Sequence, residues 1–142
     1  MDPSERRAWM GLLARSPASR LAALLDPLPD HSFARAPEIG TVMVRGRAGG
    51  TGAPFNLGEM TVTRCTLRLP SGAVGHAYVQ GRDKAHATRA AVVDALMQVD
   101  PEATRDGILT PLAHEAEARA AIRRAKAAAT KVEFFTLVRG ED

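Results

Sequence analysis

Two short stretches of the chain combine fixed positive charge with backbone freedom, the combination needed to hold an anion. The first is RGRAGGTGAPF, residues 45–55. Gly49, Gly50 and Gly52 permit positive φ and close approach of the backbone to a bound group. Consecutive N–H groups in such a turn, here around Thr51, can form an anion-binding nest. Arg45 and Arg47 have like parity on a strand and could flank an anion such as phosphate held there. The Gly-Lys-Ser/Thr ending of a P-loop is absent. The same glycines equally suit a tight strand connection that needs them for geometry alone.

The second stretch is QGRDKAH, residues 80–86. A strand ends, Gly81 turns the chain, and a helix begins with Asp83 as its N-cap. Helix N-termini offer unpaired N–H donors and partial positive charge, and Arg82 and Lys84 add two formal charges there. His86 on the first turn could donate to a phosphate oxygen or act as an acid or base. The alternative is a capped helix start with solvated charges and a half-buried histidine. Asp83 speaks for that alternative, because its carboxylate competes with an anion for the same N–H groups.

Other chemistry-bearing residues are not arranged for catalysis. His31, His76, His86 and His114 have no metal-ligand spacing with one another or with Cys65, and no metal site is expected. Cys65 on a strand reads as a small buried hydrophobe. No motif links Ser, His and Asp into a triad. The tail VEFFTLVRGED holds an apolar cluster, Phe134, Phe135, Leu137 and Val138, with Arg139 beside it. It either covers the chain's own sheet or docks on a partner, since a large apolar patch left exposed is a liability.

Composition limits what surrounds these segments. The 142 residues fit one domain spanning 1–142. Hydrophobic residues make up 45% but aromatics only 4%, so the core rests on aliphatic and alanine side chains. Alanine buries little apolar surface, and part of the stability is expected from a partner. The net charge of +3 and sequence pI of about 9.6 suit an anionic ligand or acidic partner. Nucleic-acid binding is disfavoured by scattered basic residues and few aromatics for base stacking. One cysteine excludes an internal disulfide and fits a reducing cytosol. No stretch approaches the ~18 apolar residues of a membrane span, and the N-terminus lacks a signal-peptide pattern.

The elements that must position the two segments follow from periodicity and punctuation. Ser4 is expected to cap a helix to about Arg15, with Trp9, Leu12 and Leu13 as apolar contacts. Ser16-Pro17 reads as an N-cap and first position of a second helix, ended by Pro27 and Pro29. Two strands are expected at 31–36 and 40–47, then a long one at about 57–69. In the long strand Thr63, Cys65, Leu67 and Leu69 share a face, with a bulge near Arg64. Pro70-Ser71-Gly72 turns the chain into a strand at 73–80. A helix from about Lys84 to Val99 presents Val92, Val93, Leu96 and Met97. Residues 101–110 read as a loop or short helical turn, and Thr110-Pro111 starts an Ala-rich helix to about Lys131. The whole is α+β: an N-terminal helical hairpin, an antiparallel sheet, and C-terminal helices packed on the sheet.

Five segments in register, WMGLLARS, RAGGTGAPFNLGEMTVTRCTLRL, GHAYVQGRDKAHA, VVDALMQ and VEFFTLVRG, span Trp9 to Gly140. Together they resemble the PhnG family, a subunit of the bacterial carbon–phosphorus lyase core complex of phosphonate metabolism. The resemblance implies a cytoplasmic, non-autonomous subunit that assembles with PhnH, PhnI and PhnJ types. It implies a complex that transfers a phosphonate to the ribose C1 of MgATP and releases adenine, a ribose 1-phosphonate 5-triphosphate synthase. MgATP is then a substrate of the complex, and no cofactor is expected on this chain alone. A single cysteine cannot hold the iron–sulfur cluster of the later radical step. The resemblance identifies no catalytic residue. Arg47, Gly49, Gly50, Thr51, Gly52, Arg82, Lys84 and His86 are its candidate anion-binding or interface residues. Phe134, Phe135, Leu137 and Arg139 are candidate partner contacts. A purely structural scaffold, or a stand-alone anion- or nucleic-acid-binding protein, are the competing readings.

Overall fold

The computed structural model describes residues 2–139, with side chains for all of these except 135 and 137–139. Helix α1 spans Pro3–Arg15 and α2 spans Ala18–Leu24. Capping at both helices differs from expectation by a residue or two. Asp2, not Ser4, caps α1: its carboxylate accepts from the Ser4 N–H at 3.0 Å. Pro3 at the first helical position has no N–H to satisfy and is already set at a helical φ. Ser16 serves the end of α1, donating its hydroxyl to the Leu12 carbonyl at 2.6 Å, while Pro17 occupies the N-cap position of α2 with an extended ψ. Trp9, Leu13, Leu21 and Leu25 are buried.

A three-stranded antiparallel sheet follows, in the order β1-β2-β3. Strand β1 is Ser32–Arg47, β2 is Pro54–Arg68 and β3 is Val74–Gln80. The two short strands expected at 31–36 and 40–47 are one. Pro37 does not end it, because β1 is an edge strand, where a missing N–H goes unneeded. Register shifts between Phe33 and Glu38 take up the local irregularity. The bulge expected in β2 near Arg64 is instead on β1, opposite residues 64–66. The β2–β3 ladder runs without a shift from Val62↔Gln80 to Arg68↔Val74. Strand β2 carries its own extra residue at Leu57, opposite the Val44–Arg45 step.

Thr63, Cys65, Leu67 and Leu69 are buried on one face, as their parity predicts. Helix α3, Lys84–Val99, lies directly over that face. A Cβ built on Gly75 would come within 1.9 Å of the Ala91 carbonyl oxygen, so β3 and α3 meet backbone to backbone. Ala87, Ala90, Ala91 and Ala95 make this approach sterically feasible, and α3 is buried on nearly all sides. Of its expected core face, Val92, Val93 and Met97 are buried and Leu96 partly so.

The chain between Pro101 and Arg139 is helical throughout: the short helical turn, not the loop, holds at 101–110, and the last helix begins at Thr110 as expected. Short α4, Pro101–Thr104, leads through a π-helical turn, Arg105–Leu109, into α5, Thr110–Arg139. The Thr110 N–H reaches back to the Arg105 carbonyl across that turn. The wider turn admits Pro111, which lacks the donor an α-turn would need. Ile108, Leu109 and Leu112 join the core, but from Ala121 onward every described side chain of α5 is exposed. Ile122 and Val132 of α5 are therefore exposed and do not pack on the sheet. No helix among the described residues is long and apolar enough to cross a membrane.

Candidate functional site

The first candidate segment forms the tip of the β1–β2 hairpin. Ala48–Gly50 makes a 3-10 turn, with φ of 62° at Gly49 and 79° at Gly50, the left-handed region that glycine enters freely. Gly52 donates its N–H to the Ala48 carbonyl at 2.9 Å, and a Cβ there would sit 2.9 Å from that same oxygen. Each of these glycines thus has a steric reason to be present. Arg45, Arg47 and Thr51 are exposed, and neither arginine makes an ion pair among the described residues.

The second segment joins β3 to α3. Gly81, at φ 94°, donates to the Thr61 carbonyl at 2.9 Å and accepts from the Thr63 hydroxyl at 2.7 Å, fixing the chain as it leaves the sheet. Asp83 caps α3 by accepting from the His86 N–H at 2.9 Å. Arg82 and Lys84 are exposed. His86 is not grouped with them: it is 5% exposed, and its Nε2 lies 3.0 Å from the Leu13 carbonyl. A carbonyl only accepts, so Nε2 carries a proton, and Nδ1 is buried without a hydrogen-bond partner among the described residues. The imidazole ties the start of α3 to the end of α1.

One chain does not bring the two segments together. Gly40↔Val62 and Val62↔Gln80 place the start of α3 at the root of the hairpin, while Arg47↔Pro54 marks its tip. Seven strand residues separate root from tip, a span of about 23 Å at ~3.3 Å per residue. The root is the better furnished end. A groove of about 520 Å³ there is lined by Ala14, Arg15, Met60, Val62, Tyr78 and Gln80 and ends at Gly81. A second groove, also about 520 Å³, continues past Tyr78 along α1 to His76, Met10 and Arg7. Sequence reasoning did not find this surface, because its side chains come from three separated elements.

It also missed Asp94. This carboxylate is fully buried, yet accepts from Arg6 Nε at 3.1 Å and Nη2 at 2.7 Å, Trp9 Nε1 at 2.8 Å and the His76 N–H at 2.8 Å. It joins α1, α3 and β3, and holds the Arg6 guanidinium above its ordinary pKa, chiefly through the hydrogen bond. An aspartate inside the apolar run VVDALM was the only signal of it in the sequence. Cys65 is 2% exposed, and burial pushes its thiol up, with the nearby Thr88 hydroxyl opposing the shift.

Of the tail residues, Phe134 lies on α5 and is 63% exposed. The side chains of Phe135, Leu137 and Arg139 lie outside the described residues. Through residue 139 the backbone of this tail continues α5.

A small α+β core bearing two exposed extensions and no assembled catalytic constellation among the described residues has the character of a subunit. The comparisons agree. The family model of the phosphonate metabolism protein PhnG matches residues 4–140, and the chain belongs to that family. It is 45% identical over 143 residues to the alpha-D-ribose 1-methylphosphonate 5-triphosphate synthase subunit PhnG of Rhizobium meliloti (strain 1021). The match covers 98% of this chain and 92% of that relative.

Proposed function

We propose that this chain is a non-autonomous, cytoplasmic subunit of a ribose 1-phosphonate 5-triphosphate synthase. In that complex a phosphonate oxygen attacks the ribose C1 of MgATP, the bond from C1 to adenine breaks, and adenine leaves as its nitrogen takes a proton. The observation that carries this reading is the 45% identity, over nearly the whole chain, to a relative named as a subunit of that synthase. Its partners in this reading are the PhnH, PhnI and PhnJ types, and MgATP is a substrate of the assembly. Two features support dependence on partners. The core is alanine-rich, and both the β1–β2 hairpin and α5 carry exposed apolar side chains.

The test is co-expression with those partner types and purification on a tag carried by this chain. A stoichiometric complex that releases adenine from MgATP in the presence of methylphosphonate is the expected result. A folded monomer recovered alone, with the partners present, would overturn the reading.

A purely structural role within the same complex is the second reading. It is favoured by His86, whose proton-bearing nitrogen is committed to the Leu13 carbonyl. Arg82→Ala with Lys84→Ala separates the two. If these cations touch a substrate phosphate or phosphonate, adenine release should fall about tenfold or more with assembly intact, as for loss of charge-assisted hydrogen bonds. Unchanged activity would leave the scaffold role standing.

A further inference from the structure

A sheet has two edges, and the described residues cover part of only one of them. On the β3 edge, side chains of α3 satisfy two backbone groups: Asp94 accepts the His76 N–H at 2.8 Å, and Gln98 Nε2 donates to the Val74 carbonyl at 2.7 Å. The outer edge of β1 has no such cover among the described residues, and no residue from Ser32 to Thr61 is buried. Beyond Val62↔Gln80 there is also no third strand, so the hairpin from Gly40 to Thr61 is a two-stranded ribbon. Such ribbons are marginal in water without a further strand or a packed face. This one exposes Met43 (54%) and Leu57 (62%).

The two edges of the ribbon are not equivalent. Strand β2 begins with Pro54 and carries an extra residue at Leu57 beside Gly58, whose φ is 150°. A proline and a bulge are devices that discourage further pairing. Strand β1 has its irregularities and Pro37 between Phe33 and Glu38, and from Gly40 to Arg47 none of its residues is left out of the pairing. That stretch, GTVMVRGR, is a free, regular edge rich in β-branched residues.

We propose that the outer edge of β1 from Gly40 to Arg47 is completed by an extended, carboxylate-bearing strand of a different polypeptide. Unpaired backbone groups in regular alternation call for another strand, which alone can pair with all of them. Charge sets its kind. Arg45 and Arg47 face Asn56 and Pro54 on β2, so neither has a carboxylate directly opposite it within the hairpin. A second copy of this chain pairing along the same stretch would add two more arginines and no carboxylate to the ladder. Like charges across strands destabilise pairing, and opposite charges favour it. The inference rests on the subunit reading above for the source of the strand.

The test uses the full chain in its purified complex and free, by hydrogen exchange at single-residue resolution. Alternate amides from Gly40 to Arg47, those pointing away from β2, should gain protection in the complex. In parallel, the full chain carrying Arg45→Lys is expressed with its partners and treated with a carbodiimide. The lysine should cross-link to an aspartate or glutamate in an extended segment of another polypeptide. Arg45→Glu with Arg47→Glu should weaken assembly about tenfold. A complex in which these amides stay unprotected, or a cross-link only to a second copy of this chain, overturns the proposal and leaves the subunit reading intact. A cross-link to a strand of an unrelated polypeptide supports the proposal and removes the subunit reading. Absence of both complex and cross-link overturns both.

Discussion

Asp94 joins three elements with one carboxylate, so its loss should be felt in all of them. Asp94→Asn keeps the shape but removes the charge that balances Arg6, whose side chain remains 30% exposed. A bidentate, charge-assisted pair with one partly solvated member should cost about 2–3 kcal/mol when broken, read as a lower urea midpoint with unchanged slope. Gly75→Ala acts by steric exclusion. The added methyl meets the Ala91 carbonyl oxygen at 1.9 Å, and that oxygen belongs to helix backbone, which cannot rotate away. The helix must lift from the sheet, at about 3 kcal/mol by overpacking, and the thermal midpoint should fall accordingly. At Cys65 burial raises the folded thiol above its ordinary value of 9.0. Because the folded state holds this proton more tightly, the associated stability is complete below the unfolded thiol's value. It is lost as pH rises through the folded one. Unfolding free energy should therefore decline at alkaline pH more steeply in the natural chain than in Cys65→Ala.

At the scale of elements, legibility in the sequence tracked whether a residue's role was local. The start of α3 was readable because Asp83 caps it three residues before His86, and β2 because Thr63, Cys65, Leu67 and Leu69 alternate toward one face. That 31–36 and 40–47 form one strand was not legible, because the stretch between them contains a proline that only the edge position of β1 makes tolerable. Residues 101–110 left a loop and a short helical turn both open, and α4 with the π-turn after it decides for the helical one. The candidate cations at 82 and 84 were readable as charge at a helix start. That His86 faces the core depends on where α1 ends, a tertiary fact no local pattern carries. Helix α5 offers a test at this scale. Leu112 is its last buried residue among those described, and every described side chain from Ala121 onward is exposed, so ending the chain after Arg123 should leave the thermal midpoint within a few degrees. If α5 serves assembly, the same truncation should abolish co-purification of the partner subunits.

Taken whole, the molecule devotes a minority of its length to its own core. The hairpin reaches about 23 Å beyond β3 by strand rise, and α5 continues about 27 Å past Ala121 by helical rise. Segments with few buried contacts open locally at low free-energy cost, and open segments are what proteases cut. A copy made in excess of its partners therefore carries two cleavable handles that an assembled copy would hide. Cellular abundance of the chain would then follow the supply of partners, with surplus copies cleared by degradation, and subunit stoichiometry would need no matched rates of synthesis.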